Sequence, residues 1–112
     1  MKVVPIVLTL VLSLNANAQS DIETGKKLYV APGKGGCATC HGENGNEPVM
    51  PLYPKIGGQN ELYLFNQMRD YKLKKRQNGL FVPMEVAMTH YSDEEIKMIA
   101  SYLASIDGFA HQ

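Results

Sequence analysis

The sequence predicts an all-α domain of three main helices joined by loops, and three observations predict it. Apolar residues recur at helical spacing in three separate stretches. Almost no segment shows the two-residue alternation of a half-buried strand, and a chain of 112 residues has room for one core.

The first helix is expected to begin at Ser20-Asp21-Ile22-Glu23, where a Ser followed three residues later by a Glu fits a capping box. Ile22, Gly25, Leu28 and Tyr29 then share one face, and Pro32-Gly33 ends the helix. The second is expected from Asn60 as its cap to about Gln77, with Leu64, Met68 and Tyr71 at helical spacing and Asn78-Gly79 as its stop. The third carries the clearest signals. Ser92 with Glu95 forms another capping box, Tyr91 and Ile96 can staple across it, and Ile96, Ile99, Ala100 and Leu103 form an apolar stripe that runs out at Gly108. Between the first two helices lies Gly33 to Gln59, rich in Gly, Pro and Asn and without a periodic apolar pattern. A long irregular stretch in a small domain signals function, and this one holds both cysteines and is suited to wrap a large apolar ligand.

Ahead of these elements Met1-Lys2 precedes an apolar run from Val3 to Leu14, and a polar stretch ends in Ala16-Asn17-Ala18. That pattern predicts a signal peptide over residues 1–18, removed after Ala18, and a mature domain over 19–112. The run is short of the roughly 20 apolar residues a spanning helix needs, so no membrane span is expected in the mature form. Removal leaves 94 residues with ten Lys or Arg and eleven Asp or Glu, a formal charge of minus one. Nothing in that balance points to nucleic acid. Domains of this size are often helped by a disulfide, a metal or a cofactor, which draws attention to Cys37 and Cys40.

Cys37-Ala38-Thr39-Cys40-His41 is a C-x-x-C-H sequence, the signature of covalent haem attachment, and an exported chain is where such attachment is expected. On a turn of helix the three residues stand at i, i+3 and i+4 and project from one face, so two thiols can reach the vinyl edges as the imidazole reaches the iron. A plain disulfide or a thioredoxin-type redox pair would also use C-x-x-C. The second needs a strand–helix–strand setting that this sequence lacks, and the His that directly follows Cys40 favours haem over both. One axial position remains, with Met50, Met68, Met84, Met88, Met98, His90 and His111 as candidates. Met68 and Met98 fall on helix faces, where Met commonly fills gaps in packing. Phe81-Val82-Pro83-Met84 is read as non-helical backbone before the Ser92 cap, from which a loop can bring Met84 to the iron; Met88 is the reserve. His90 is expected at the surface.

With these residues in place the chain resembles a class I c-type cytochrome over essentially all of its mature length, of the single-haem bacterial periplasmic type and similar to one half of the di-haem periplasmic cytochromes. Gly25-Lys26-Lys27-Leu28-Tyr29 and Ser101-Tyr102-Leu103 resemble that family's paired terminal helices. Tyr53-Pro54-Lys55-Ile56-Gly57-Gly58-Gln59 and the Met84-to-Ser92 spacing are similar to segments of its small periplasmic members. The resemblance implies a small fold wrapped around one covalently attached haem c, with Gly25 letting the first helix cross closely over Tyr102. It implies that a Pro carbonyl, from Pro51 or Pro54, accepts the proton of His41. It also implies that a haem edge near Cys37 and Cys40 meets the partner.

The function expected is a periplasmic carrier of single electrons, no enzyme, moving them between redox proteins: a donor reductase or dehydrogenase and an acceptor oxidase or reductase. The alternative is a permanent cytochrome subunit of a periplasmic dehydrogenase, for example a sulfide- or thiosulfate-oxidising one. A haem enzyme or gas sensor would require an open site instead of Met84, and beyond His90 and His111 the chain offers little acid–base chemistry for it. Arg69, Lys72, Lys75 and Arg76, with Lys74 nearby, are expected to share a face. They would serve either to steer an acidic partner or simply as a solvated helix end that complements the helix dipole.

Overall fold

The computed structural model describes residues 18–107, which form five helices and, among the described residues, no strand. They are α1 (residues 18–30), α2 (Cys37–His41), α3 (Glu61–Lys72), α4 (Phe81–Met88) and α5 (Asp93–Ala104). No helix among them is long and apolar enough to cross a membrane. The expected leader, Gly108 and His111 lie outside the described residues, apart from Ala18.

The start of α1 departs from expectation. Residues 18–20 are already helical, so Ser20 is not an N-cap here: Ala18 and Gln19 are good helix formers, and no breaker separates them from the helix. The capping box at the other end of the domain forms as expected. Ser92 Oγ accepts from the Glu95 N–H at 3.1 Å, and the Glu95 carboxylate accepts from the Ser92 N–H at 3.0 Å. Glu95 also pairs with Lys34 at 2.8 Å; that ammonium, followed by the Ser92 N–H, holds its carboxyl below the usual carboxylate range. The predicted stripe is the centre of the core, with Ile96, Ile99, Ala100 and Leu103 all buried beside Tyr29, Leu64, Met68 and Met88. Each buried Ile and Leu of this stripe contributes on the order of 1.5–3 kcal/mol relative to exposure.

α1 crosses α5 at Gly25. A Cβ built there would run into the Met98 carbonyl and stand 2.9 Å from the Tyr102 Cβ, so the missing side chain sets the distance between the helices. Four residues on, Tyr29 and Tyr102 pack with ring centroids 5.6 Å apart.

α3 starts where expected, with the Asn60 side chain accepting from the Tyr63 N–H at 2.9 Å, but it stops at Lys72 instead of about Gln77. The stop is a Schellman turn: Lys74 takes a left-handed φ of 61°, its N–H reaches the Tyr71 carbonyl at 3.0 Å, and the Lys75 N–H reaches Asp70 at 2.7 Å. Such turns favour Gly at the left-handed position, and composition alone did not reveal one built on Lys. Replacing Lys74 with Gly relieves that conformation and is expected to raise stability by about 1 kcal/mol, seen as a higher thermal midpoint. An unchanged or lower midpoint would contradict it.

The early stop breaks up the expected basic face. Arg69 and Lys72 both pair with Asp93, at 3.3 and 3.2 Å, tying the end of α3 to the start of α5, while Lys75 and Arg76 lie beyond the helix.

α4 is a second correction, because the stretch from Phe81 to Met88 was expected as a loop and is helical. Pro83 does not prevent this. It stands third in the helix, where its missing N–H would have no partner within the helix anyway. α3 packs against both α4 and α5, leaving a space between these helices and the long segment from Gly33 to Gln59.

Candidate haem site

That space is a cavity of about 480 Å³, within the size range of pockets that enclose organic ligands. Cys37, Cys40 and His41 line it from α2, Met84 and Met88 from α4, Leu64 and Met68 from α3, and Ile99 and Leu103 from α5. The five-residue motif is a single helical turn as expected. Gly36 provides its start with a left-handed φ of 71° and Gly42 its exit with a φ of 88°. A Cβ at Gly42 would collide with the Glu47 carbonyl, so only Gly lets the chain fold back so tightly here. The returning strand of chain is stitched to the motif by the Glu47 N–H on the His41 carbonyl, 3.3 Å, and the Val49 N–H on that of Cys40, 3.1 Å.

His41 is the one buried polar or charged residue among those described, 5% exposed. Its Nδ1 lies 2.9 Å from the Pro54 carbonyl. A carbonyl can only accept, so Nδ1 carries the proton and Nε2 keeps its lone pair, without a hydrogen-bond partner among the described residues. Of the two prolines left open by the sequence, Pro54 therefore provides the carbonyl. Burial holds the imidazole below its ordinary pKa, opposed by the Pro54 contact, which keeps the ring neutral and able to donate its lone pair at neutral pH. Cys37 and Cys40 are free thiols on the same face of α2. Burial pushes the Cys37 thiol up, with the Tyr91 hydroxyl partly offsetting it.

Met84 and Met88 stand one turn apart on α4 and both line the cavity; Met84 is half-buried and Met88 is 1% exposed within the core. Met68 is buried and also borders the space. His90 is exposed, as expected.

The sequence did not single out Arg76 as a site residue. It lines the cavity, with Nε donating to the Asn78 side chain at 2.9 Å, Nη1 donating to that of Gln67 at 2.8 Å, and its guanidinium 4.9 Å from the centre of the Tyr71 ring. Among the described residues it pairs with no carboxylate. An arginine so held keeps free donors for an anionic group of whatever fills the cavity. Tyr53, Lys55, Gln59 and Tyr63 complete the rim, and no spacing rule pointed to them.

An apolar cavity with two thiols and a neutral imidazole on one helical turn, thioethers on another helix and a cation poised at the rim fits a haem and its carboxylate arms. Comparison with known proteins agrees. A family model for cytochrome c matches residues 22–107. Cytochrome c4 of Pseudomonas aeruginosa is 38% identical over 102 residues, which make up 91% of this chain and 46% of that protein. Cytochrome c4 of Stutzerimonas stutzeri is 32% identical over 94% of this chain and 50% of its own length. The crystal structure of reduced recombinant cytochrome c4 from Pseudomonas stutzeri superposes with a TM-score of 0.71 at 27% identity, covering 79% of this chain and 49% of that one. The chain thus spans about half the length of the curated relatives it matches. On this fold, this cavity and these likenesses, the chain belongs to the cytochrome c family and its cofactor is covalently bound haem c.

Proposed function

We propose that the chain is a periplasmic electron carrier whose haem is attached through Cys37 and Cys40 and ligated by His41 and Met84. The observation that carries this reading is the buried His41, held by the Pro54 carbonyl with Nε2 left to donate on the same turn as two free thiols. When bound, the haem supplies one-electron chemistry between ferrous and ferric iron.

The residues around it divide the remaining work. Pro54 fixes the tautomer of His41 and strengthens it as a ligand. Met84, which lines the cavity from α4, would hold the iron through a soft thioether of the kind that favours the ferrous state. Tyr29, Leu64, Ile99 and Leu103 exclude water, which disfavours the additional charge of the ferric state. Arg76 would hold a haem carboxylate with the donors that Gln67 and Asn78 leave free.

The test is direct. Protein exported from a host with a working haem-ligation apparatus should be coloured, and its mass should equal residues 19–112 plus one haem. A colourless product at the mass of the processed polypeptide overturns the proposal. On a gel-filtration column a diffusing carrier runs alone, whereas a permanent dehydrogenase subunit co-purifies with its enzyme from the native periplasm. In the loaded protein Arg76→Gln removes a positive charge beside the haem. Ferric iron is then less disfavoured, and the reduction potential should fall by tens of millivolts, 59 mV being a tenfold change in a one-electron equilibrium. An unchanged potential would show that Arg76 does not face the cofactor.

A further inference from the structure

Tyr91 makes contacts that the site described above does not use. It precedes the Ser92 cap and is 2% exposed, and three groups from a distant part of the chain converge on its hydroxyl. The Gly35 N–H donates to it at 2.9 Å, it donates to the Leu28 carbonyl at 3.2 Å, and the Cys37 sulfur lies 3.7 Å away. These three points fall at the end of α1, in the turn that follows, and on the first residue of the attachment motif. One oxygen at the threshold of α5 thus pins the whole approach to Cys37.

Steric fit supports the same arrangement independently. A Cβ at Gly35 would collide with the Tyr91 ring and stand 3.0 Å from its hydroxyl oxygen, so the turn is shaped to that side chain. The neighbouring Lys34 lies 5.4 Å over the ring as it pairs with Glu95. Cys40 has no matching clasp: among the described residues no side-chain hydrogen bond reaches its sulfur.

We infer that Tyr91 is a positioning residue for the Cys37 arm of the haem, fixing the first attachment point independently of the second. The inference rests on the reading of Cys37 and Cys40 as the attachment residues. A phenol has one proton and two lone pairs. The Leu28 carbonyl takes the proton and the Gly35 N–H one lone pair, which orients the hydroxyl and holds the turn that leads to Cys37. In Tyr91→Phe the ring still fills its place, but the Gly35 N–H and the Leu28 carbonyl lose their partner and the turn is free to shift.

The test uses the loaded protein and its Tyr91→Phe variant. Mass spectrometry comes first: absence of haem in the unmodified protein refutes the attachment reading itself, whereas one haem in each lets the inference be judged alone. The paramagnetically shifted proton resonances of the Cys37 arm in the ferric protein should then move in the variant while those of Cys40 stay in place. Exchange of the Gly35 amide should accelerate by about tenfold. General loosening would move both arms together, so equal shifts at Cys37 and Cys40, or no shift at either, overturn the inference. If the variant does not fold, the unmodified protein decides: a Gly35 amide protected like the interior of α5 supports the clasp, and one that exchanges like an open turn refutes it.

Discussion

Met84→Ala is expected to abolish the weak near-infrared absorption of a methionine–iron bond and to lower the reduction potential by on the order of 0.1 V or more, within the ~0.8 V range over which axial ligands set haem potentials. The size of the effect follows from what is lost. With Met84 as the proposed ligand, removing the thioether would withdraw a soft donor that favours ferrous iron and admit water in its place, and both changes would stabilise the ferric state. Met88→Ala provides the contrast. Met88 is buried in the core, so its truncation should cost on the order of 2–5 kcal/mol of stability while leaving the band intact. The two residues share a face of α4, and the reverse outcome, with the band surviving in Met84→Ala and lost in Met88→Ala, would move the ligand by one turn.

Gly25→Ala should destabilise the protein by roughly 2–3 kcal/mol, a fall of about 10–20 °C in the thermal midpoint of a domain this size. The sign is the informative part. In an isolated helix the same change is favourable by about 1 kcal/mol, because Gly is a poor helix former. Here the added methyl meets the backbone carbonyl of Met98 and the Cβ of Tyr102, neither of which is the free end of a flexible side chain, so α1 and α5 must separate. That separation also loosens the Tyr29–Tyr102 packing and the Tyr29 hydroxyl's 2.6 Å bond to the Gly42 carbonyl, directly behind the attachment motif. A higher midpoint in Gly25→Ala would mean that the helices do not cross as described.

The features legible in the chain are those whose partners lie within four residues. The turn from Cys37 to His41 and the Ser92–Glu95 box were readable because helical geometry alone brings i, i+3 and i+4 together, whatever the rest of the molecule does. The stripe of α5 is readable for the same reason, since burial follows its period. Family resemblance extended this reach to one distant pair, Gly25 with Tyr102.

The misreadings share a cause as well. Pro83 marked the Met84 segment as a loop, yet packing on α3 makes a helix of it in which Pro takes the one turn that tolerates it. Four cations at helical spacing promised a basic face. Lys74 instead turns the chain left-handed and sends Arg76 to the cavity, while Asp93, at the start of α5, pairs with both Arg69 and Lys72.

The chain alone therefore specified an all-helical domain, the attachment turn and the chemical kind of ligand it takes, because these depend on residue types and on spacings that one turn of helix enforces. The fold alone decided that Pro54 and not Pro51 holds His41, that Arg76 faces the cavity, and that Tyr91 clasps the turn before Cys37. His41 and Pro54 stand 13 residues apart and Leu28 and Tyr91 63, and such pairs meet only when the burial of a shared core offsets the entropy of closing the loops between them.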